Sequence, residues 1–155
     1  MAGKIEARLK ELGIELPEAT TPAANYIPYV VSGKLVFVSG QITLLNGKIE
    51  YIGRVGDEFT IEEGYQAARL CGMNLLTQAK AAAGGDLDKI KRVVKLGGFV
   101  NAIPGFTNQP EVINGASDLM VEVLGENGRH ARAAVSAGAL PRNVAVEIDG
   151  IFELV

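Results

Sequence analysis

Cysteine and histidine occur once each in this chain, as Cys71 and His130. A lone cysteine excludes an internal disulfide, and one histidine with one cysteine cannot build a usual zinc site. No apolar run reaches the ~18 residues that a membrane span requires. Met1 to Leu12 is charged and has no apolar signal core, so neither secretion nor membrane insertion is expected, and the cytoplasm is the expected compartment. Positive charge is not in excess: 15 Lys and Arg stand against 18 Asp and Glu, a net charge of -3. That balance lacks the clustered cationic footprint of a nucleic-acid binder. The one basic cluster, Lys89, Lys91, Arg92 and Lys95, reads as the solvated start of a strand. The chain also lacks internal repeats, low-complexity tracts and linkers.

What is present suits one domain spanning residues 1–155, of which 1–21 form an N-terminal helical extension. A chain of this length buries roughly 70% of its unfolded surface. Ile5, Leu9 and Leu12 are spaced for an amphipathic helix over Lys4 to Leu12, and Pro17 to Pro22 forms a turn-rich lead-in. Tyr29–Val31 and Leu35–Ser39 flank a Ser-Gly turn, which predicts a hairpin. Asn46-Gly47 predicts a second hairpin between Gln41–Leu45 and Lys48–Ile52. Thr60 and Glu63 form a capping-box pattern, opening a helix that runs to about Ala83 and stops at Gly84-Gly85. Its small inner face, with Cys71 as a core thiol, suits close packing. Ile90–Val100 reads as a strand buried on both faces, Asn101–Pro110 as a loop and Pro110–Leu124 as a second long helix. Two final strands lie near Ala131–Ala137 and Asn143–Leu154.

The expected fold is therefore α+β, with two main helices on one face of a mixed sheet and an extra N-terminal helix. The other face is too apolar for water, and self-association is its simplest cover.

The last two strands carry the chemistry. Read as a hairpin turning near Ala139 and Leu140, they place Arg132 roughly opposite Glu147, ~5 Å apart at Cβ and on the more polar face. Arginine grips a carboxylate with a planar fork of donors, and glutamate holds a water or passes a proton. The plainer reading is a cross-strand salt bridge, worth little if exposed. The small neighbours Ala131, Ala133, Ala134 and Ala137 leave room for a ligand and favour the functional one.

Ala-Arg-x-x-Val, then Leu140-Pro141 and Val-x-Val-Glu-Ile, resembles the C-terminal motif of the RidA/YjgF family of enamine/imine deaminases. Pro28-Tyr29, Ser39-Gly40-Gln41 and Ile113-Asn114 match further family segments, so the resemblance runs from about Ala23 to Leu154. It implies a chorismate-mutase-like fold and a homotrimer with sites between subunits. It also implies hydrolysis of 2-enamino or 2-imino acids to 2-keto acids and ammonia, with no metal or cofactor. Arg132 would clamp the carboxylate and Glu147 would position or activate the water. Tyr29, Asn114 and Ala134 would line the pocket, and Ser39 and Gly40 would offer backbone contacts. The chain departs from the family at His130, where relatives carry proline, and at Ala134, where many carry Cys or Ser. Two other readings stand beside deamination. One is a non-catalytic binder of small carboxylates such as 2-keto acids. The other is an RNA-cleaving enzyme, since some relatives are labelled L-PSP endoribonucleases. The acidic balance argues against RNA, and one histidine per chain rules out a two-histidine mechanism within a subunit.

Overall fold

The computed structural model describes residues 3–20 and 24–155. Pro22, the end of the expected lead-in, and Ala23, the start of the family-like stretch, lie outside the described residues. The N-terminal helix α1 spans Lys4–Glu11. Its first turn is capped from a distance: the Asp88 carboxylate accepts the backbone N–H groups of Lys4 and Ile5, each at 2.9 Å.

The strands are β1 (Tyr29–Ser32), β2 (Leu35–Gln41), β3 (Leu44–Leu45), β4 (Lys48–Ile49), β5 (Ile90–Asn101), β6 (Ala131–Ala137) and β7 (Val146–Leu154). Both predicted hairpins form, β1 with β2 and β3 with β4. Helix α2 spans Ile61–Ala82 and opens with the expected capping box: Thr60 Oγ1 accepts from Glu63 N at 3.1 Å, and Glu63 Oε1 accepts from Thr60 N at 3.2 Å. Helix α3 spans Gln109–Leu124, with proline in its first turn, where the missing N–H costs nothing.

The main sheet has the order β1-β2-β7-β5-β6. The last two strands are therefore not a hairpin. Strand β5 lies between them, parallel to β6 and antiparallel to β7. The reason is the connection between β5 and β6. Parallel neighbours need a crossover, and α3 supplies it. The segment from β6 to β7 then spans β5, through a helical turn at Pro141–Asn143.

Helices α2 and α3 cover one face and pack on each other where glycine allows it: a Cβ at Gly115 would collide with the Tyr65 carbonyl. The core lies between this layer and the sheet, with Leu75, Leu76, Leu96, Val100, Ile113, Leu119, Ile148 and Phe152 all buried. Cys71 is fully buried among them. Its Sγ–H donates to the Val146 carbonyl at 3.4 Å, and burial pushes the thiol well above its usual range.

Among the described residues, the other face of the sheet is uncovered. Strand β5 is thus buried on one face only, contrary to its apolar sequence. Leu96 and Val100 point to the core, whereas Phe99 on the opposite face is 37% exposed. Val30, Phe37 and Val135 share that open face, at 51%, 43% and 46% exposure. No described helix is long and apolar enough to cross a membrane.

Candidate active site

Strand pairing fixes which way each site residue points. Arg132 aligns with Leu96, which aligns with Gly150. Leu96 is buried against the helices, so Arg132 faces the helix layer. Glu147 aligns with Phe99, which aligns with Val135, so it lies on the open face and three positions along β7. The expected pairing of Arg132 opposite Glu147 is therefore wrong. The two side chains stand on opposite faces of the sheet, two strands apart, and make no salt bridge with each other.

Arg132 is half-buried at the outer edge of the sheet, under α3. Its Nη1 donates to Asn114 Oδ1 at 2.9 Å and to Ser117 Oγ at 3.1 Å. Asn114 and Ser117 are three residues apart on α3, a spacing that puts them on one helix face. Both Nη1 hydrogens are thereby used. Nη2 has one long contact, 3.5 Å to the Pro110 carbonyl, and Nε has no partner among the described residues. The edge formed by Nε and Nη2 is the fork that a carboxylate accepts from side-on. No carboxylate among the described residues forms a salt bridge with this guanidinium. Ala134 lies next on the same face, aligned with Gly98 and packed against the core.

Beyond Ser117 the network continues. Ser117 Oγ lies 2.9 Å from His130 Nε2, and His130 Nδ1 lies 2.7 Å from the Gly128 carbonyl. That carbonyl only accepts, so Nδ1 carries a proton. In neutral imidazole Nε2 then accepts from the Ser117 hydroxyl. Burial holds His130 below its ordinary range, and the Arg132 charge adds to this against the Gly128 hydrogen bond. Asn114, Ser117, Asp118, Arg129, His130 and Arg132 line a shallow cavity of about 250 Å³. The Asp118 carboxylate there is engaged by the Tyr65 hydroxyl at 2.8 Å, and burial with this bond pushes the phenol up to about 12.

The second group of predicted residues gathers on the open face. Between Val38↔Gly150 and Gln41↔Ile148, Ser39 and Gly40 of β2 stand against Asp149 alone. This is a β-bulge, a device that re-aims side chains and frees backbone groups. Ser39 Oγ–H donates to the Ile27 carbonyl at 2.9 Å. The Glu147 carboxylate lies over Gly40, where an added Cβ would sit 2.5 Å from Glu147 Oε1. Only glycine permits this approach. Glu147 has no hydrogen-bond or ion-pair partner among the described residues. Burial, and secondarily Asp149, raises its carboxyl above the ordinary range.

Ser39 and Gly40 form the wall between two cavities. One, of about 320 Å³, includes Phe37, Lys95, Asp149 and Ile151; the other, of about 350 Å³, includes Tyr26, Pro28, Asn74, Gln78 and Arg142. Tyr29 joins neither cavity: it pairs with Val38 and packs against the core.

Two residues here had no role in the sequence reading. Ser117 was legible as the residue one helical turn past Asn114. Arg142 was legible only as part of the Leu-Pro-Arg-Asn turn; it holds a left-handed backbone at φ 58°, as does Asn143, uncommon for non-glycine residues. A larger cavity, about 780 Å³, lies between residues 12–15, the β3–β4 region and α2. It contains none of the predicted residues, and its one arginine, Arg69, is already bound to Glu122 at 2.9 Å. Of the predicted residues, Arg132 and Asn114 line one of the smaller cavities and Ser39 and Gly40 line two others.

Comparison with known proteins shows the family and the fold. The family model described as "YjgF/chorismate_mutase-like, putative endoribonuclease" matches residues 6–153, and the chain belongs to this RidA/YjgF family. It is 49% identical over 154 residues to Protein TCP17 of Trypanosoma cruzi, covering 99% of this chain and 96% of the relative. The crystal structure of Atu1372 from Agrobacterium tumefaciens is 54% identical with a TM-score of 0.91, covering 97% of this chain and 92% of its own. RidA from an Antarctic Psychrobacter is more distant, at 26% identity and a TM-score of 0.61, covering 88% and 94%. The chorismate-mutase-like α+β fold is thus shared.

Proposed function

We propose that the protein hydrolyses short 2-imino or 2-enamino acids to 2-keto acids and ammonia. The observation that carries this reading is the Arg132 guanidinium: half-buried, without a carboxylate partner among the described residues, and with only a 3.5 Å contact from Nη2 to the Pro110 carbonyl on its Nε–Nη2 edge. A cation this enclosed favours an anion, and a planar fork favours a carboxylate.

The substrate's carboxylate docks on that edge. Its C=N carbon is already electrophilic, so orientation and a held water suffice. Water adds to that carbon, and the C–N bond of the carbinolamine breaks as nitrogen leaves with a proton. Glu147 is the group suited to hold the water and move its proton. Its raised carboxyl range brings it nearer the working pH, where general bases are most effective.

Because Arg132 and Glu147 occupy opposite faces of one sheet, one small acid reaches both only between two copies of the chain. We propose a homotrimer with such intersubunit sites. Its support is the open apolar face bearing Val30, Phe37, Phe99 and Val135, which a monomer leaves in water. Ser39 and Gly40 contribute bulge backbone beside Glu147. No cofactor or metal enters this scheme.

The test is ammonia release from freshly generated 2-iminobutyrate, run beside an RNA-cleavage assay. Catalysed release with intact RNA is expected. Binding of 2-oxobutyrate without turnover would leave a carboxylate binder, and cleavage of RNA without ammonia release would overturn the assignment.

A further inference from the structure

His130 is joined to Arg132 through the Ser117 hydroxyl. We propose that Ser117 and His130 are positioning residues for the Arg132 guanidinium, and that a carboxylate bound there draws a proton onto His130. This rests on the reading of Arg132 as the carboxylate clamp.

The chain of bonds has a direction. The Gly128 carbonyl takes the Nδ1 proton of His130 at 2.7 Å, Nε2 takes the Ser117 hydroxyl proton at 2.9 Å, and Ser117 Oγ thereby turns its lone pairs to Arg132 Nη1 at 3.1 Å. Asn114 Oδ1 fixes the second Nη1 hydrogen. Two acceptors on one nitrogen set the guanidinium plane, and with it the direction of the free edge.

The same chain couples charge. On protonation, both imidazole nitrogens donate, and Ser117 Oγ accepts from His130 and Arg132 together. The hydroxyl proton is then free to reach a ligand. In the unliganded site this state is opposed by burial and by the Arg132 cation. The other charged groups around His130 leave that balance standing. Asp118 of α3 is tied to Tyr65, Arg129 to Glu126, and Arg92 of β5 to the Arg129 carbonyl. A carboxylate on Arg132 offsets the opposing cation and so favours imidazolium. By reciprocity, protonated His130 binds the acid more tightly. Affinity therefore rises as pH falls from the His130 midpoint of the complex to that of the free protein, and is flat outside that window.

His130 is the only histidine, so its imidazole C2 proton gives one unambiguous resonance in a proton NMR titration. Three samples suffice: the free protein, the protein saturated with 2-oxobutyrate, and Arg132→Gln. Saturation is expected to raise the midpoint by about one unit, a roughly tenfold affinity change across the window. Arg132→Gln alone, without ligand, is expected to raise it as well, because the adjacent cation is gone. Calorimetry in two buffers of different ionisation enthalpy should show more proton uptake between the two His130 midpoints in the wild type than in His130→Gln. The glutamine still accepts from Ser117, so at pH 8 this variant keeps affinity within about twofold, whereas Ser117→Ala loses about fivefold. Calorimetric binding with an unmoved His130 midpoint would overturn the coupling. Absence of any 2-oxobutyrate binding would instead overturn the clamp reading, and the Arg132→Gln midpoint would then decide the coupling alone. A midpoint unchanged in that variant overturns it.

Discussion

The two faces of one sheet hold the two halves of the proposed site in contrasting ways. Under α3, Arg132 is held in place: both Nη1 hydrogens are satisfied, and Nη2 has only a 3.5 Å contact to the Pro110 carbonyl. On the open face, Glu147 has no partner among the described residues and rests over a glycine in a bulge. The first arrangement suits recognition, which needs a fixed donor plane before the ligand arrives. The second suits proton transfer, which needs a carboxylate neither locked in an ion pair nor fully solvated. A charge bound to a permanent partner has its chemistry already spent, and the sheet keeps these two apart.

Substitutions on the two faces should therefore fail differently. Glu147→Gln should keep 2-keto acid binding and lower kcat for ammonia release by roughly 10²–10⁴-fold, the usual contribution of a positioned acid or base. Equal turnover of the two proteins would remove Glu147 from the mechanism. Arg132→Ala should weaken 2-keto acid binding by on the order of 100-fold, since charge-assisted pairs are the strong ones. Unchanged affinity by calorimetry would sink the clamp.

A smaller effect sharpens the geometry of the open face. Gly40→Ala pushes against Glu147 Oε1 and should lower kcat by about tenfold with affinity nearly intact. Matching losses in both quantities would mean that the bulge serves only the fold.

The smallest effect is on stability. A carboxyl raised above its unfolded range binds more protons folded than unfolded. Its contribution is therefore most favourable below the unfolded range and is lost as pH rises through the folded one. Glu147→Gln should accordingly raise the melting temperature at pH 7 and not at pH 4. A lower melting temperature at pH 7 would show that the carboxylate has a partner in solution.

The sequence made some of this legible and hid the rest for identifiable reasons. The capping box at Thr60 and Glu63, the hairpin turns at Gly33 and at Asn46-Gly47, and the burial of Cys71 are local or periodic signals, and each appears as read. Alternation along β6 correctly grouped Arg132 with Ala134, and along β7 it grouped Glu147 with Asp149. Alternation says nothing, however, about which strand is a neighbour, and β5 between the two reversed the inferred relation of Arg132 to Glu147. A signal did exist in the strand–helix–strand order of β5, α3 and β6, which favours parallel neighbours joined by a crossover. Phe99 looked buried because it lies in an apolar run, while its face is open in a single chain. Tyr29, a pocket residue by the family motif, pairs with Val38 and packs partly against the core in the single chain. Ser117 is silent in the sequence because a serine on a helix carries no chemistry until its neighbours are known.

The central claim is that Arg132 and Glu147 act on one substrate from two copies of the chain. Co-expression of Arg132→Ala with Glu147→Gln tests it directly, because each variant supplies what the other lacks. In randomly mixed cyclic trimers about a quarter of intersubunit sites regain both intact residues, so ammonia release should recover to about that fraction of wild type. Co-assembled trimers no more active than either variant alone would contradict the claim.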